Sequence, residues 1–219
     1  MNPAPLPSRR LLANFLKVFF KLLYNQFSWS YDLVANAVSI GKWKTWVLAV
    51  LPDLMGPNVL ELGHGPGHLL LAMTEAGLYA IGLDASLKMG RIARARLRRR
   101  NRSSLLVNGY AQSLPFSDAY FNNIVTTFPS DFILHPASLS EAYRVLTPGG
   151  TMIVLPIAWI TGTSWLDRLA AALFRITGEA PDWDDRFSQP FIQAGFRVEI
   201  VFRLLQTSRL LILHAYKVE

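Results

Sequence analysis

The chain has 219 residues, enough for one well-buried domain and too few for two full ones. It contains no cysteine, which excludes disulfides and thiolate metal sites and leaves the redox compartment open, with the cytoplasm as the default; no metal site is expected. A formal net charge of +7 predicts attraction to anionic surfaces but does not choose between nucleic acid and lipid.

Residues 1–8 are proline-rich and read as extended. Residues 11–24 read as an amphipathic helix, with Arg10, Asn14, Lys17, Lys21 and Asn25 on one stripe and a broad apolar face opposite. Lysines interrupt it too often for a bilayer span, and it lacks the unbroken apolar core and cleavage site of a signal peptide. Three roles suit it. One is a cap over the open end of a sheet, packed on the domain or a second subunit; another is an interfacial helix over residues 9–25, which would make the protein membrane-associated; the third is a targeting segment. Aromatic-rich residues 27–34 and 42–46 read as further helices. Residues 1–52 are therefore expected to form a helical cap and residues 53–219 the main domain.

Strand-like runs at 58–62, 78–83, 104–108, 122–127 and 150–155 alternate with helical patterns. This is the signature of an α/β fold with a doubly wound, mostly parallel sheet, which binds ligands beyond the C-terminal ends of its strands. The first run breaks into Glu61-Leu-Gly-His-Gly-Pro-Gly67 and then a helix starting at His68. A dinucleotide turn would need glycine at position 68, and a triphosphate loop would need lysine there, so neither ligand is expected. Asp84 falls 21 positions after Gly63, close to the spacing at which an acid ending the second strand meets ribose hydroxyls. Ser86 is the better N-cap for the helix that follows.

Seven arginines fall between positions 91 and 102, which read as a solvated helix face; no aromatic residue interrupts them for base stacking, so nucleic acid is an unlikely partner. Residues 126–133 end the fourth strand without the Asn/Asp-Pro-Pro-Tyr/Phe run of enzymes that methylate base amino groups. Residues 159–177 read as a mobile turn plus an apolar helix, either a lid over an apolar substrate or a packing element. A helix at 190–195 and an antiparallel hairpin at 197–204 and 209–216 close the chain.

Four segments in order, Asn58 to Leu70, Gly82-Leu-Asp-Ala-Ser-Leu-Lys-Met89, residues 108–121 and Glu141-Ala-Tyr-Arg-Val-Leu-Thr-Pro-Gly-Gly150, resemble the motifs of the class I S-adenosylmethionine-dependent methyltransferases. The small-molecule branch that includes ubiquinone/menaquinone and sterol methyltransferases is the most similar. The resemblance implies a seven-stranded Rossmann-like sheet with a terminal antiparallel hairpin. It also implies S-adenosylmethionine as cofactor, S-adenosylhomocysteine as product, and a small acceptor methylated on O, N or C.

Carried over residue by residue, Gly63, His64, Gly65 and Gly67 would cradle the methionine end, and Glu61 would attract its ammonium or orient the loop. Asp84 would take the ribose, with Ala85 and Met89 under the adenine and Thr127 on the far wall. The acid expected in the third motif is Tyr110, so adenine would rest on Ala111, Gln112 or the Tyr110 ring; the Phe-Asp acid that follows is replaced by Asn122. These two departures keep open a non-catalytic binding or scaffold protein on the same fold, and RNA methylation is the least favoured alternative. Tyr31, Phe128, Asp131, His135 and Trp159 are candidates for the acceptor side. A sulfonium leaving group is already activated, so alignment can supply much of the rate and no catalytic base is assigned.

Overall fold

The computed structural model describes Ser39, residues 41–162 and residues 187–218. The expected helix over residues 11–24, Tyr31 and most of the 159–177 segment lie outside them. Seven strands form one sheet: β1 (Asn58–Leu62), β2 (Tyr79–Asp84), β3 (Leu105–Asn108), β4 (Phe121–Thr127), β5 (Leu146–Ile160), β6 (Phe196–Leu205) and β7 (Ser208–Lys217), in the order β3-β2-β1-β4-β5-β7-β6. The first five run parallel and β7 lies antiparallel between β5 and β6. The chain builds outward in one direction from β1 to β3 and in the other from β4. The crevice beyond the tips of β1 and β4 is therefore the topological switch point where such sheets bind ligands.

Strand alternation splits the core in two. Leu60, Leu62, Ile124 and Val154 face one side, under α4 (Pro136–Val145) and α5 (Gln189–Gln193). Val59, Val125, Ile153 and Leu155 face the other, under α1 (Trp43–Leu48) and α2 (His68–Glu75). A further helix, α3 (Leu87–Arg98), runs from the tip of β2 back toward the start of β3. Its N-cap is Ser86, whose hydroxyl accepts the Met89 amide at 3.4 Å, as expected. No described helix is long and apolar enough to cross a membrane.

Two readings need correction. β5 does not stop at residue 155 but continues to Ile160, with a register shift between Val154 and Ile157 that accommodates Pro156. Trp159 is therefore a strand residue opposite Arg209 on β7, not the start of an insertion. Asn122 stands at the opposite end of β4 from the crevice, where its Oδ1 accepts the Asn58 amide at 3.1 Å. The loss of an acid at this position bears on how β1 is pinned to β4, not on ligand binding.

The segment before β1 is tied to the distant hairpin. Asp53 receives both ends of the Arg203 guanidinium, at 2.6 and 3.0 Å, and Arg203 also donates to the Ala49 carbonyl. Burial pushes the Asp53 carboxyl up, but the His214 ring 3.8 Å away and the Arg203 hydrogen bonds outweigh it and hold it below its ordinary value.

Candidate functional site

The turn after β1 is built by three glycines with φ of +70°, +50° and +78° at Gly63, Gly65 and Gly67, a region that side chains other than glycine's resist. They do different work. A Cβ on Gly65 would meet nothing within 4 Å, so this stretch of backbone is open to a ligand. A Cβ on Gly67 would lie 2.8 Å from that of Ala93, so here the missing side chain lets α3 press onto the turn. The Gly63 and His64 amides both bond the Leu83 carbonyl, at 2.8 and 3.4 Å, which ties the turn to the end of β2.

Asp84 completes that tie. Its Oδ2 accepts the Gly65 amide at 2.9 Å and its Oδ1 accepts the Ser86 amide at 2.8 Å, with the residue only 2% exposed. The glycine turn and the carboxylate thus share one cleft. Glu61 stands opposite Gly82 in the β1–β2 register, on the same face as Asp84, and is also 2% exposed. It accepts the Leu70 amide from the first turns of α2, yet its Oε2 has no hydrogen-bond partner. Burial, and secondarily the charge of Asp84, push the Glu61 carboxyl well above its ordinary value.

His64 lies between these acids. Its ring occupies the space a side chain on Gly82 would need, since a Cβ there would be 2.8 Å from His64 Cδ2, and its Nδ1 is 2.7 Å from the Gly65 carbonyl. That bond requires a hydrogen on Nδ1. Burial lowers the imidazole's affinity for a second proton, against the opposing pull of Asp84, so the ring is a neutral spacer. The role of Gly82 was missed from sequence, although a lone glycine inside a strand signals a close approach of this kind.

Also missed was Arg96. It leaves the arginine-rich face and donates to the Pro66 carbonyl, fastening α3 to the glycine turn. The run is therefore not uniformly a solvated surface.

Of the two residues expected under an adenine, Ala85 is exposed and Met89 is fully buried. Gly109 and Asn108 both bond the Asp84 carbonyl, which brings Tyr110 next to Asp84 with its side chain 68% exposed. Ala111 is buried in the core and Gln112 is half-buried. The loop carrying these residues is clamped from α4. Glu141 accepts the Leu114 amide at 2.7 Å, while Arg144 donates to the Leu114 and Phe116 carbonyls at 3.0 and 2.8 Å and pairs with Asp118 at 2.6 Å.

Thr127, the last residue of β4, is half-buried, and Phe128 just beyond it adopts φ +49°, a strained conformation for an aromatic residue. Its ring packs at a tilt against those of Trp43, at 4.4 Å, and Trp46, at 6.2 Å. Phe132 lies over the other side of this crevice, 3.6 Å from where a Gly63 Cβ would be. Asp131 is exposed at the start of a 3-10 turn, Asp131–Leu134. His135 caps α4, its Nδ1 accepting the Ala137 amide at 3.1 Å. Trp159 is not brought to this cleft. Its ring faces Phe202 on the opposite side of the sheet from Glu61 and Asp84.

A family model described as a methyltransferase domain matches residues 59–150, the segment that holds the glycine turn, Asp84 and the clamped loop. Over that segment the chain is similar to the methyltransferase domain family. Among curated relatives, a demethylmenaquinone methyltransferase of Thermus thermophilus is 29% identical over 61% of this chain and 63% of its own length. One from Thermotoga maritima is 31% identical over 62% and 60%. The chain thus spans about three-fifths of the length of these relatives. Among solved structures, a Methanococcus maripaludis protein assigned to the S-adenosylmethionine-dependent methyltransferases superposes with a TM-score of 0.62 at 19% identity, covering 88% of this chain and 92% of that one. A Haemonchus contortus phosphoethanolamine N-methyltransferase in complex with S-adenosylhomocysteine gives 0.61 at 14% identity, covering 90% and 60%. At these identities the likeness establishes the fold.

Proposed function

We propose that this chain transfers a methyl group from S-adenosylmethionine to a small, lipophilic acceptor of quinone type. The observation that carries the cofactor assignment is Glu61, a buried carboxyl with one oxygen unpartnered, on the same sheet face as Asp84 and beside an open glycine turn. An unsatisfied buried carboxyl oxygen is costly unless a donor arrives, and a cationic ammonium is the donor that suits it best. The residues present therefore fit the cofactor.

When bound, the cofactor supplies a methyl group on a cationic sulfur that is already a good leaving group. The chain supplies placement. Glu61 would receive the ammonium, the Gly63 to Gly67 turn would hold the amino-acid tail, Asp84 would accept from the ribose hydroxyls, and Tyr110 would offer its ring to the adenine. Phe128, Phe132 and Trp43 form apolar walls beside the turn and keep water from the transfer path. A flat, apolar ring fits such walls, and the curated relatives are named for methylating quinones.

Calorimetric titration with S-adenosylhomocysteine, followed by transfer of a labelled methyl group to a short-chain demethylmenaquinone, tests both halves. Binding and transfer are expected. Binding without transfer to any quinone would leave the scaffold reading, which the exposed Tyr110 in place of an acid favours; absence of binding at millimolar ligand would overturn the assignment.

A further inference from the structure

The sheet has two edges of very different length. β3 has four residues, whereas β6 runs for ten with no proline and no bulge, and no strand among the described residues pairs with its outer side. A long, unbroken edge is a template for another strand, and natural sheets usually blunt one with charge, proline or a bulge. The arginines of β6 do not guard it. Arg203 reaches back to Asp53, and Arg197 lies over the Tyr216 ring at 4.8 Å. Phe202 and Leu204 are left 42% and 75% exposed along the edge.

Leu205 and Ser208 close a two-residue hairpin and so exchange both backbone bonds, which makes the odd-numbered residues of β6 the ones that bond to β7. The amides and carbonyls of Val198, Ile200, Phe202 and Leu204 therefore point outward, where an antiparallel strand can take them. A second copy related by a two-fold axis through the sheet pairs residues at equal distances either side of one central position. Charge selects that centre. Glu199 or Arg203 at the axis would meet itself, and Ile200 there would set Arg197 against Arg203. Phe202 at the axis makes no opposite-charge pair, and Val198 there leaves Phe202 and Leu204 uncovered. Val201 at the axis sets Glu199 opposite the second copy's Arg203 on both sides of it, and lays Phe202 and Leu204 opposite the second copy's Ile200 and Val198.

We infer that β6 pairs antiparallel with β6 of a second copy, centred on Val201, joining two seven-stranded sheets into one. This goes beyond the proposed function and does not depend on it. Strands β5 and β7 separate β6 from β4 and the crevice, so the contact uses no residue of the ligand site.

The chain has no cysteine, so a single introduced one reports the register. The two Val201 residues would form a non-hydrogen-bonded pair with Cα atoms about 4.5 Å apart, within disulfide reach, so Val201→Cys should give a disulfide-linked dimer under mild oxidation. Leu204→Cys, at the more exposed position, would sit six residues out of register with its counterpart, about 20 Å away, and should not cross-link. Sedimentation velocity of the full chain should show a dimer at micromolar concentration. Ile200→Pro removes an outward amide without touching the ladder to β7, and Glu199→Arg sets like charges across the axis. Each should weaken dimerisation by at least about tenfold while the circular dichroism spectrum stays that of the wild type. A monomeric wild type, a disulfide that forms faster at Leu204→Cys than at Val201→Cys, or a dimer indifferent to both Ile200→Pro and Glu199→Arg would overturn the inference.

Discussion

The Asp84 carboxylate reaches across from the tip of β2 to the Gly65 amide at 2.9 Å, so the side chain proposed to take the ribose also shapes the glycine turn. Asp84→Ala is expected to cost twice. The Gly65 and Ser86 amides lose their acceptor, which should lower stability by about 1–3 kcal/mol, and S-adenosylhomocysteine affinity should fall by at least about tenfold. Asp84→Asn, which keeps one acceptor oxygen, should recover more of the stability than of the affinity. Thermal melts and calorimetry on both variants separate these outcomes; equal recovery would mean that Asp84 acts only through the turn.

Glu61 gives a pH signature. Its folded carboxyl holds a proton more tightly than the unfolded group, whose value is 4.5, because of burial first and Asp84 second. Such a group contributes stability that is complete below 4.5 and is lost as pH rises through the raised folded value. Glu61→Gln cannot ionise, so the ligand-free variant should gain on the wild type as pH climbs from that point toward neutrality. Ligand binding should show the reverse dependence. A cationic ammonium favours the ionised acid, so wild-type affinity should rise with pH and protons should be released on binding, while Glu61→Gln should bind weakly and with no such slope. Titrations in buffers of different ionisation heat measure the released protons directly.

Arg144 sits on α4, away from the crevice, yet it holds the loop that carries Tyr110 to Gln112 through the Leu114 and Phe116 carbonyls. Arg144→Met should loosen that loop, raising amide exchange across residues 109–118, and should weaken cofactor binding several-fold at a stability cost of about 1–2 kcal/mol. Arg144→Lys should rescue little, because a single ammonium cannot reproduce the guanidinium's fork across two carbonyls and two acids. Unchanged exchange in the Met variant would sink this account.

How much of this was legible in the sequence depends on the range over which each feature is encoded. Strands β1 to β4, the Ser86 cap and the Gly63-to-Gly67 turn are local patterns of apolar spacing and glycine, and they fall where residues 58 to 127 predict them. The extension of β5 was not legible, because Ile157 to Ile160 become strand only by pairing with β7, fifty residues later. Arg96 looked like its neighbours, since nothing in an arginine-rich helix marks the one side chain that finds a carbonyl 30 positions away. Asn122 carried the opposite error. A family motif suggested a ligand role, and only the strand direction shows that it belongs to the far end of the sheet.

Gly67 and Gly77 provide a matched pair that separates backbone strain from packing. Their φ values are +78° and +84°, so alanine at either pays a similar cost for a left-handed conformation, about 1–2 kcal/mol. The surroundings differ, however: a Cβ at Gly77 meets nothing within 4 Å, whereas one at Gly67 would lie 2.8 Å from Ala93 Cβ and 3.1 Å from its Cα. Gly67→Ala should therefore destabilise by clearly more than Gly77→Ala, with the excess measuring the pressure of α3 on the turn. Adding Ala93→Gly removes the closer of the two contacts and should return part of that excess, minus the cost of about 1 kcal/mol for glycine inside a helix. Denaturant melts of the three variants read these differences. Equal losses for Gly67→Ala and Gly77→Ala would show that α3 yields freely, and that the turn owes its shape to Asp84 and Leu83 alone.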